Sequence, residues 1–91
     1  MRDSIKEMEK DLKALANISR LKILDFLKKN KNSASVIEIS EKTKCSYKAT
    51  SKHLSILYRV NIVDREQKYY EMHYRIVATP SAPVRDFLKV L

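Results

Sequence analysis

The chain has 91 residues, the length of one small domain, and its 19 Lys and Arg against 11 Asp and Glu give a formal net charge of +8, which indicates a polyanionic partner. The single cysteine excludes an internal disulfide and a zinc site built on a cysteine pair. No apolar run reaches the roughly 20 residues that span a bilayer, and no signal-peptide core is visible, so we expect a cytoplasmic protein.

Two helices are predicted at the N-terminal end. Ser4 and Glu7 have the spacing of a capping box, and apolar residues then recur at helical steps, which predicts a helix from Ser4 to Ala16. Asn17 is expected to cap a second helix that ends in a basic turn over residues 28–32. The inner face of this second helix carries Leu21, Leu24 and Leu27.

Two further helices follow. Ser35 and Glu38 form another capping box and open a short helix that ends near Thr43. Ser46 caps the fourth helix, and Asn61 stands where a left-handed residue closes a helix. The inward residues of the fourth helix are Ala49, Leu54 and Leu57.

The apolar period then changes from 3.6 to 2. Tyr70, Met72, Tyr74 and Ile76 alternate with polar residues, as in a half-buried strand. A shorter strand from Ile62 to about Glu66 is expected to pair with it across a turn near Gln67 and Lys68. After a linker, Ser81 and Pro83 start a last helix. The expected fold is mainly α with a small β-hairpin, in the order α-α-α-α-β-β-α, as one domain over residues 1–91.

The fourth helix has an unusual charge pattern. No acidic residue occurs between Glu41 and Asp64. The basic residues in this window are Lys42, Lys44, Lys48, Lys52 and Arg59. A short amphipathic helix whose polar face holds only cationic and hydrogen-bonding groups suits the major groove of DNA, where phosphates flank readable base edges.

Three helices followed by a hairpin make a winged helix-turn-helix, and three stretches resemble the ArsR-type (ArsR/SmtB) repressor family. Residues 12–24, Leu-Lys-Ala-Leu-Ala-Asn-Ile-Ser-Arg-Leu-Lys-Ile-Leu, resemble its entry motif Leu-Lys-Ala-Leu-Ala-Asp-Pro-Thr-Arg-Leu-x-Ile-Leu. The recognition helix of the family contains Ser-Arg-His-Leu, which corresponds to Ser51-Lys52-His53-Leu54. Its Gly-Leu-Val and Tyr-Arg-Leu segments correspond to Asn61-Ile62-Val63 and Tyr74-Arg75-Ile76. The resemblance implies a homodimer, paired through its first and last helices, that binds an inverted-repeat operator in double-stranded DNA and acts as a transcriptional repressor.

The departures from the family pattern concern its turns and metal sites. Lys44 replaces the glycine of the helix-turn-helix turn, and the wing tip also lacks its usual glycine. The third helix has no Cys-x-Cys motif, and residues 82–91 contain no histidine and only Asp86 as an acid. None of the metal sites of the family is therefore predicted in this chain, and we expect no cofactor. The sequence does not identify an effector.

The resemblance and the charge pattern together assign the DNA-contacting residues, against the alternative of a solvated helix face and turn. In the helix-turn-helix they are Lys44, Ser46, Tyr47, Lys48, Ser51, Lys52 and His53; at the predicted wing tip they are Arg65, Lys68 and Tyr69. Lys48 and Lys52 suit guanine edges or phosphates, and Ser46 brings helix N–H groups to a phosphate. His53 either packs or contacts a phosphate.

Cys45 precedes the fourth helix between two lysines, where a thiolate would be stabilised, so it is a candidate redox site; the alternative is a small buried residue. Apolar residues of the first and last helices are divided between the protomer core and a dimer seam. The residues assigned to this seam are Ile5, Met8, Leu12, Val84, Phe87, Leu88 and Leu91.

Other function classes are less well supported by the sequence. A winged helix that only binds proteins remains the alternative, although such a module does not need an acid-free recognition helix. No nucleophile–base pair or phosphate-binding glycine loop indicates an enzyme, and the strands lack the paired aromatic platform that favours single-stranded RNA.

Overall fold

The structure is a computed structural model that describes residues 4–30 and 33–91. Its elements are α1 (Ser4–Leu15), α2 (Ile18–Lys29), β1 (Ala34–Ser35), α3 (Val36–Thr43), α4 (Tyr47–Arg59), β2 (Val63–Lys68), β3 (Glu71–Ile76) and α5 (Ala82–Val90). The predicted order of five helices and a hairpin is confirmed, with the two-residue strand β1 as an addition. Lys31 and Asn32 of the predicted basic turn lie outside the described residues.

Three helix starts are fixed by the capping residues that the sequence predicts. In each case a side-chain oxygen accepts from the backbone N–H three residues later and so satisfies a donor that the first helical turn leaves free. The bonds join Asn17 to Arg20 in α2, Ser35 to Glu38 in α3 and Ser46 to Ala49 in α4, each at 3.1 Å. Local spacing therefore sets where α2, α3 and α4 begin.

The core lies between α2, α3, α4 and the sheet. Its fully buried side chains include Ile23, Leu24, Ile39, Leu54, Leu57, Ile62 and Val63. α1 joins this core through Ala14 and Leu15, and α5 joins it through Val84. Because α4 commits Leu54 and Leu57 to this core, its opposite face is left toward solvent.

The sheet is antiparallel and three-stranded, in the order β1-β3-β2. Ala34 of β1 pairs with Tyr74, so β3 is held on both sides rather than on one. The predicted hairpin therefore lacked its third strand. Two residues are too few to show an alternation of apolar and polar side chains in the sequence.

The hairpin turn lies two residues later than predicted. Pairing continues to Lys68 opposite Glu71, so Tyr69 and Tyr70 make the turn instead of Gln67 and Lys68. Tyr69 takes a positive φ of 56°, and Tyr70, predicted to face inward on the strand, is 99% exposed. The left-handed conformation predicted for Asn61 is confirmed, with φ at 62°.

Candidate nucleic-acid interface

The outer face of α4 consists of the side chains that its buried residues turn toward solvent. Thr50, Leu54 and Leu57 are buried on the inner face. Lys48 and Lys52 are exposed on the other side and Ser51 is half-buried beside them, while Tyr47 is exposed at the first residue of the helix. The structure therefore brings Lys48, Ser51 and Lys52 together on one surface, with Tyr47 and the Ser46 cap at its N-terminal end.

The turn before α4 is built on a lysine in the left-handed region. Lys44 has φ 57° and ψ 39°, and its backbone N–H donates to the Ser40 carbonyl. Such a conformation costs a residue with a Cβ about 1 kcal/mol, which glycine would avoid. The exposed Lys44 side chain is thereby held three residues before the start of α4.

His53 connects α4 to the N-terminal helices through Arg20. The Arg20 Nη1 lies 3.2 Å from His53 Nδ1, while the same guanidinium donates to the Ala14 carbonyl at 2.6 Å and to the Lys13 carbonyl at 3.3 Å. Because arginine only donates, Nδ1 accepts, and a neutral His53 carries its proton on Nε2. Burial, followed by the charges of Arg20 and Lys52, lowers the pKa of His53 below 6.5, which favours this neutral form.

The wing residues are not gathered at one point as predicted. Arg65 pairs with Tyr74 in the middle of β2, and its guanidinium lies 3.9 Å from the centre of the Tyr58 ring on α4. The hydroxyls of Tyr74 and Tyr58 raise the pKa of Arg65, so this cation stays charged. The Arg65 side chain therefore links the wing to the C-terminal end of α4, and it lies away from the wing tip.

Lys68 and Tyr69 do lie at the wing tip. The Lys68 Nζ is 3.3 Å from the Ser33 hydroxyl, which ties the tip to the segment before β1. The Tyr69 side chain is 96% exposed. The tip thus offers one partly tethered cation and two exposed aromatic rings: Tyr69, which was predicted to contact DNA, and Tyr70, which was not.

The residues predicted to form a dimer seam differ in their exposure within the protomer. Ile5, Met8 and Leu12 are exposed on one side of α1, and Phe87, Leu88 and Leu91 are half-buried against the core. The assignment of Val84 to the seam is corrected, because this residue is 1% exposed within the protomer and has no surface left for a partner. Amphipathic spacing identifies an apolar face but does not separate the residue that closes the protomer from those that remain exposed.

A buried carboxylate connects α1 to α5 and was not predicted. Asp11 is 4% exposed and accepts a hydrogen bond of 2.9 Å from the Ser81 hydroxyl. Ser81 lies at the start of α5, yet its side chain makes no capping bond there. The two partners are 70 residues apart in the chain, so no local spacing indicates the contact.

Cys45 lies between α2 and the start of α4. It is half-buried, with its Sγ 3.8 Å from the Ser19 hydroxyl. Among residues 4–30 and 33–91, no group of three His, Cys, Asp or Glu side chains is placed to hold a metal ion. In the same ranges no helix is long and apolar enough to cross a membrane.

Comparison with known proteins gives a family for this arrangement. The sequence profile described as "Bacterial regulatory protein, arsR family" matches residues 18–65. No curated protein sequence matches the chain significantly.

Among solved structures, reduced HlyU from Vibrio cholerae is 31% identical with a TM-score of 0.81 over 97% of this chain and 87% of its own. NolR from Sinorhizobium fredii is 30% identical with a TM-score of 0.80 over 97% and 83%. The homodimeric winged helix-turn-helix DNA-binding domain Mb0332 from Mycobacterium bovis, at 24% identity and a TM-score of 0.80 over 99% and 82%, shares the fold.

The profile match covers more than half of the chain and includes α2, α3, α4 and the start of the wing. This family and this fold are those of DNA-binding transcriptional regulators rather than of enzymes. The chain belongs to the arsR family of bacterial regulatory proteins.

Proposed function

We propose that the protein is a cytoplasmic homodimer that reads an inverted repeat in double-stranded DNA and represses transcription by covering the promoter. The observation that carries this proposal is the outer face of α4. It presents Lys48 and Lys52 to solvent, with Tyr47 exposed at its N-terminal end, and no acidic side chain occurs in α4. A face of this kind has favourable interactions with phosphates on both sides of a groove and with acceptors on base edges.

The residues of this face have different roles. Lys48 and Lys52 donate to guanine O6 and N7 or to phosphates, and Ser51 donates to either kind of group. The N-terminus of α4 at Ser46 directs backbone N–H groups toward a phosphate. Neutral His53 uses Nδ1 for Arg20 and so keeps Nε2–H as a donor for the DNA backbone.

Dimerisation is supported by the unpartnered apolar side of α1. Ile5 is 81% exposed and Leu12 is 51% exposed, and covering these side chains would remove apolar surface from water. Two recognition helices in such a dimer would meet half-sites about 34 Å apart, one turn of DNA. Repression then needs no further activity, because a dimer seated on a promoter blocks access to it.

The proposal is tested by selection from randomised duplex DNA at moderate salt, followed by sequencing of the retained fraction. Recovery of an inverted repeat with half-sites one helical turn apart supports a dimeric, sequence-reading regulator. Retention without sequence preference, lost as salt rises, contradicts it and favours a winged helix that binds proteins.

Two substitutions then separate base reading from charge. If Lys48 reads a base, Lys48→Ala costs roughly 1–3 kcal/mol of binding free energy and relaxes specificity at one position. Lys28→Ala removes the same charge from an exposed position on α2, outside α4, and is the matched control. Equal effects of the two substitutions would contradict a base-reading role for Lys48.

A further inference from the structure

A lysine-rich cavity lies between α2 and the end of α3. Its volume is about 640 Å³, and four lysines line it: Lys22, Lys29, Lys42 and Lys44. The one acid in the lining, Asp25, is already bound to Lys29 at 3.1 Å. Lys22, Lys42 and Lys44 form no ion pair with any residue that the structure describes, so three uncompensated cations share this cavity.

The lysine-rich cavity opens beside the N-terminal end of the recognition helix. Cys45, which lines it, directly precedes the Ser46 cap, and its Sγ approaches Ser19 of α2 at 3.8 Å. The wing instead contacts the other end of α4, where Arg65 stacks on Tyr58. At 1.5 Å per residue, the 13 residues from Cys45 to Tyr58 place these two regions about 20 Å apart.

This separation matters because the major groove has two phosphate walls, about 12 Å apart, and a helix lying in it needs support on both sides. The wing is a weak electrostatic support. From Val63 to Ile76 it carries Arg65, Lys68 and Arg75 against Asp64, Glu66 and Glu71, so its formal charge is zero. The lysine-rich cavity has four lysines against one aspartate, a formal charge of +3.

We propose that Lys22 and Lys42, together with Lys44, hold the DNA phosphate backbone on the side of the groove away from the wing. This extends the DNA surface from the helix-turn-helix and the wing to α2 and the end of α3. The contact is independent of sequence, because lysines that meet phosphates do not read base edges. It rests on the proposed function, since it requires α4 to dock in a major groove.

The test is the salt dependence of DNA binding by the full chain, measured by fluorescence anisotropy on the selected operator and on a scrambled duplex. In the homodimer, Lys22→Gln/Lys42→Gln removes four phosphate contacts and should reduce the slope of log K against log salt by about 3.6, since each contact contributes roughly 0.9. Affinity for both duplexes should fall by the same factor, which leaves the specificity ratio unchanged.

Lys10→Gln/Lys28→Gln is the control, because it removes the same net charge from exposed lysines outside the cavity. Thermal melts verify that both variants are folded; all four side chains are exposed, so little change is expected. Equal slopes for the two double variants would overturn the inference while leaving the proposed function in place. A wild-type protein without operator preference would overturn both.

Discussion

The hydrogen bond between Ser81 and Asp11 gives a sharp test of how α5 is fixed to α1. Ser81→Ala deletes the hydroxyl that donates to Asp11 at 2.9 Å and leaves a carboxylate that is only 4% exposed without this donor. A hydrogen bond to a charged group contributes about 1.5–3 kcal/mol, and a buried acceptor that loses its donor retains the cost of desolvation. We expect the free energy of unfolding to fall by about 2 kcal/mol.

The capping role of Ser81 does not contribute to this figure. Its side chain makes no capping bond in α5, so the roughly 1 kcal/mol that a lost N-cap normally costs is not added. Ser81→Thr keeps a hydroxyl at the same position and is expected to retain most of the stability. The comparison of Ala with Thr therefore isolates the bond to Asp11 from other effects of changing the residue.

The assay is urea unfolding followed by circular dichroism, with all variants at one protein concentration because a dimer's stability depends on it. For a domain of this size the Ser81→Ala loss corresponds to a fall in Tm on the order of 10 °C. A double-mutant cycle with Asp11→Ala measures the coupling directly. A loss below about 0.5 kcal/mol, or a coupling near zero, would refute the reasoning that this buried bond holds α5 in place.

Three further predictions concern the recognition helix and its supports. Thr50 is fully buried and its hydroxyl has no hydrogen-bond partner among the described residues, so Thr50→Val should raise the free energy of unfolding by about 1 kcal/mol in urea melts, and a loss of stability would contradict this. Burial is the main cause that lowers the pKa of His53 below 6.5 in the folded protein. As the pH falls, the unfolded chain therefore binds a proton at His53 before the folded chain does. Stability should therefore decline below pH 6.5, and a series of melts across that pH should show a smaller decline in His53→Gln. Tyr58→Leu removes the ring under Arg65 and should weaken operator binding while leaving the melting curve nearly unchanged; unchanged binding would show that the wing does not depend on this contact.

Local interactions explain why much of the fold was predictable from the sequence. The caps at Asn17, Ser35 and Ser46 each act over three residues, so a short spacing is enough to identify them. The recognition helix is similarly defined by its own period and by its lack of acids. The same local reasoning located Asn61 as a left-handed residue.

The features that were not predicted from the sequence depend instead on contacts between distant segments. Ser81 and Asp11 are 70 residues apart, and Arg20 and His53 are 33 residues apart. Strand β1 exists only because β3 offers it a pairing edge. The position of the wing turn depended on how far β2 and β3 remain paired, and the alternation of apolar residues does not specify that length.

The absence of glycine from the chain places stability and DNA affinity in opposition at two turns. Lys44 and Tyr69 adopt positive φ at 57° and 56°, and each presents its side chain to solvent on the surface proposed to meet DNA. Glycine at either position would relieve about 1 kcal/mol of backbone strain and would remove a cation or an aromatic ring from that surface. Variants selected only for heat resistance should therefore accumulate glycine at these turns and bind the operator less tightly. Selection for repression should instead preserve the strained residues.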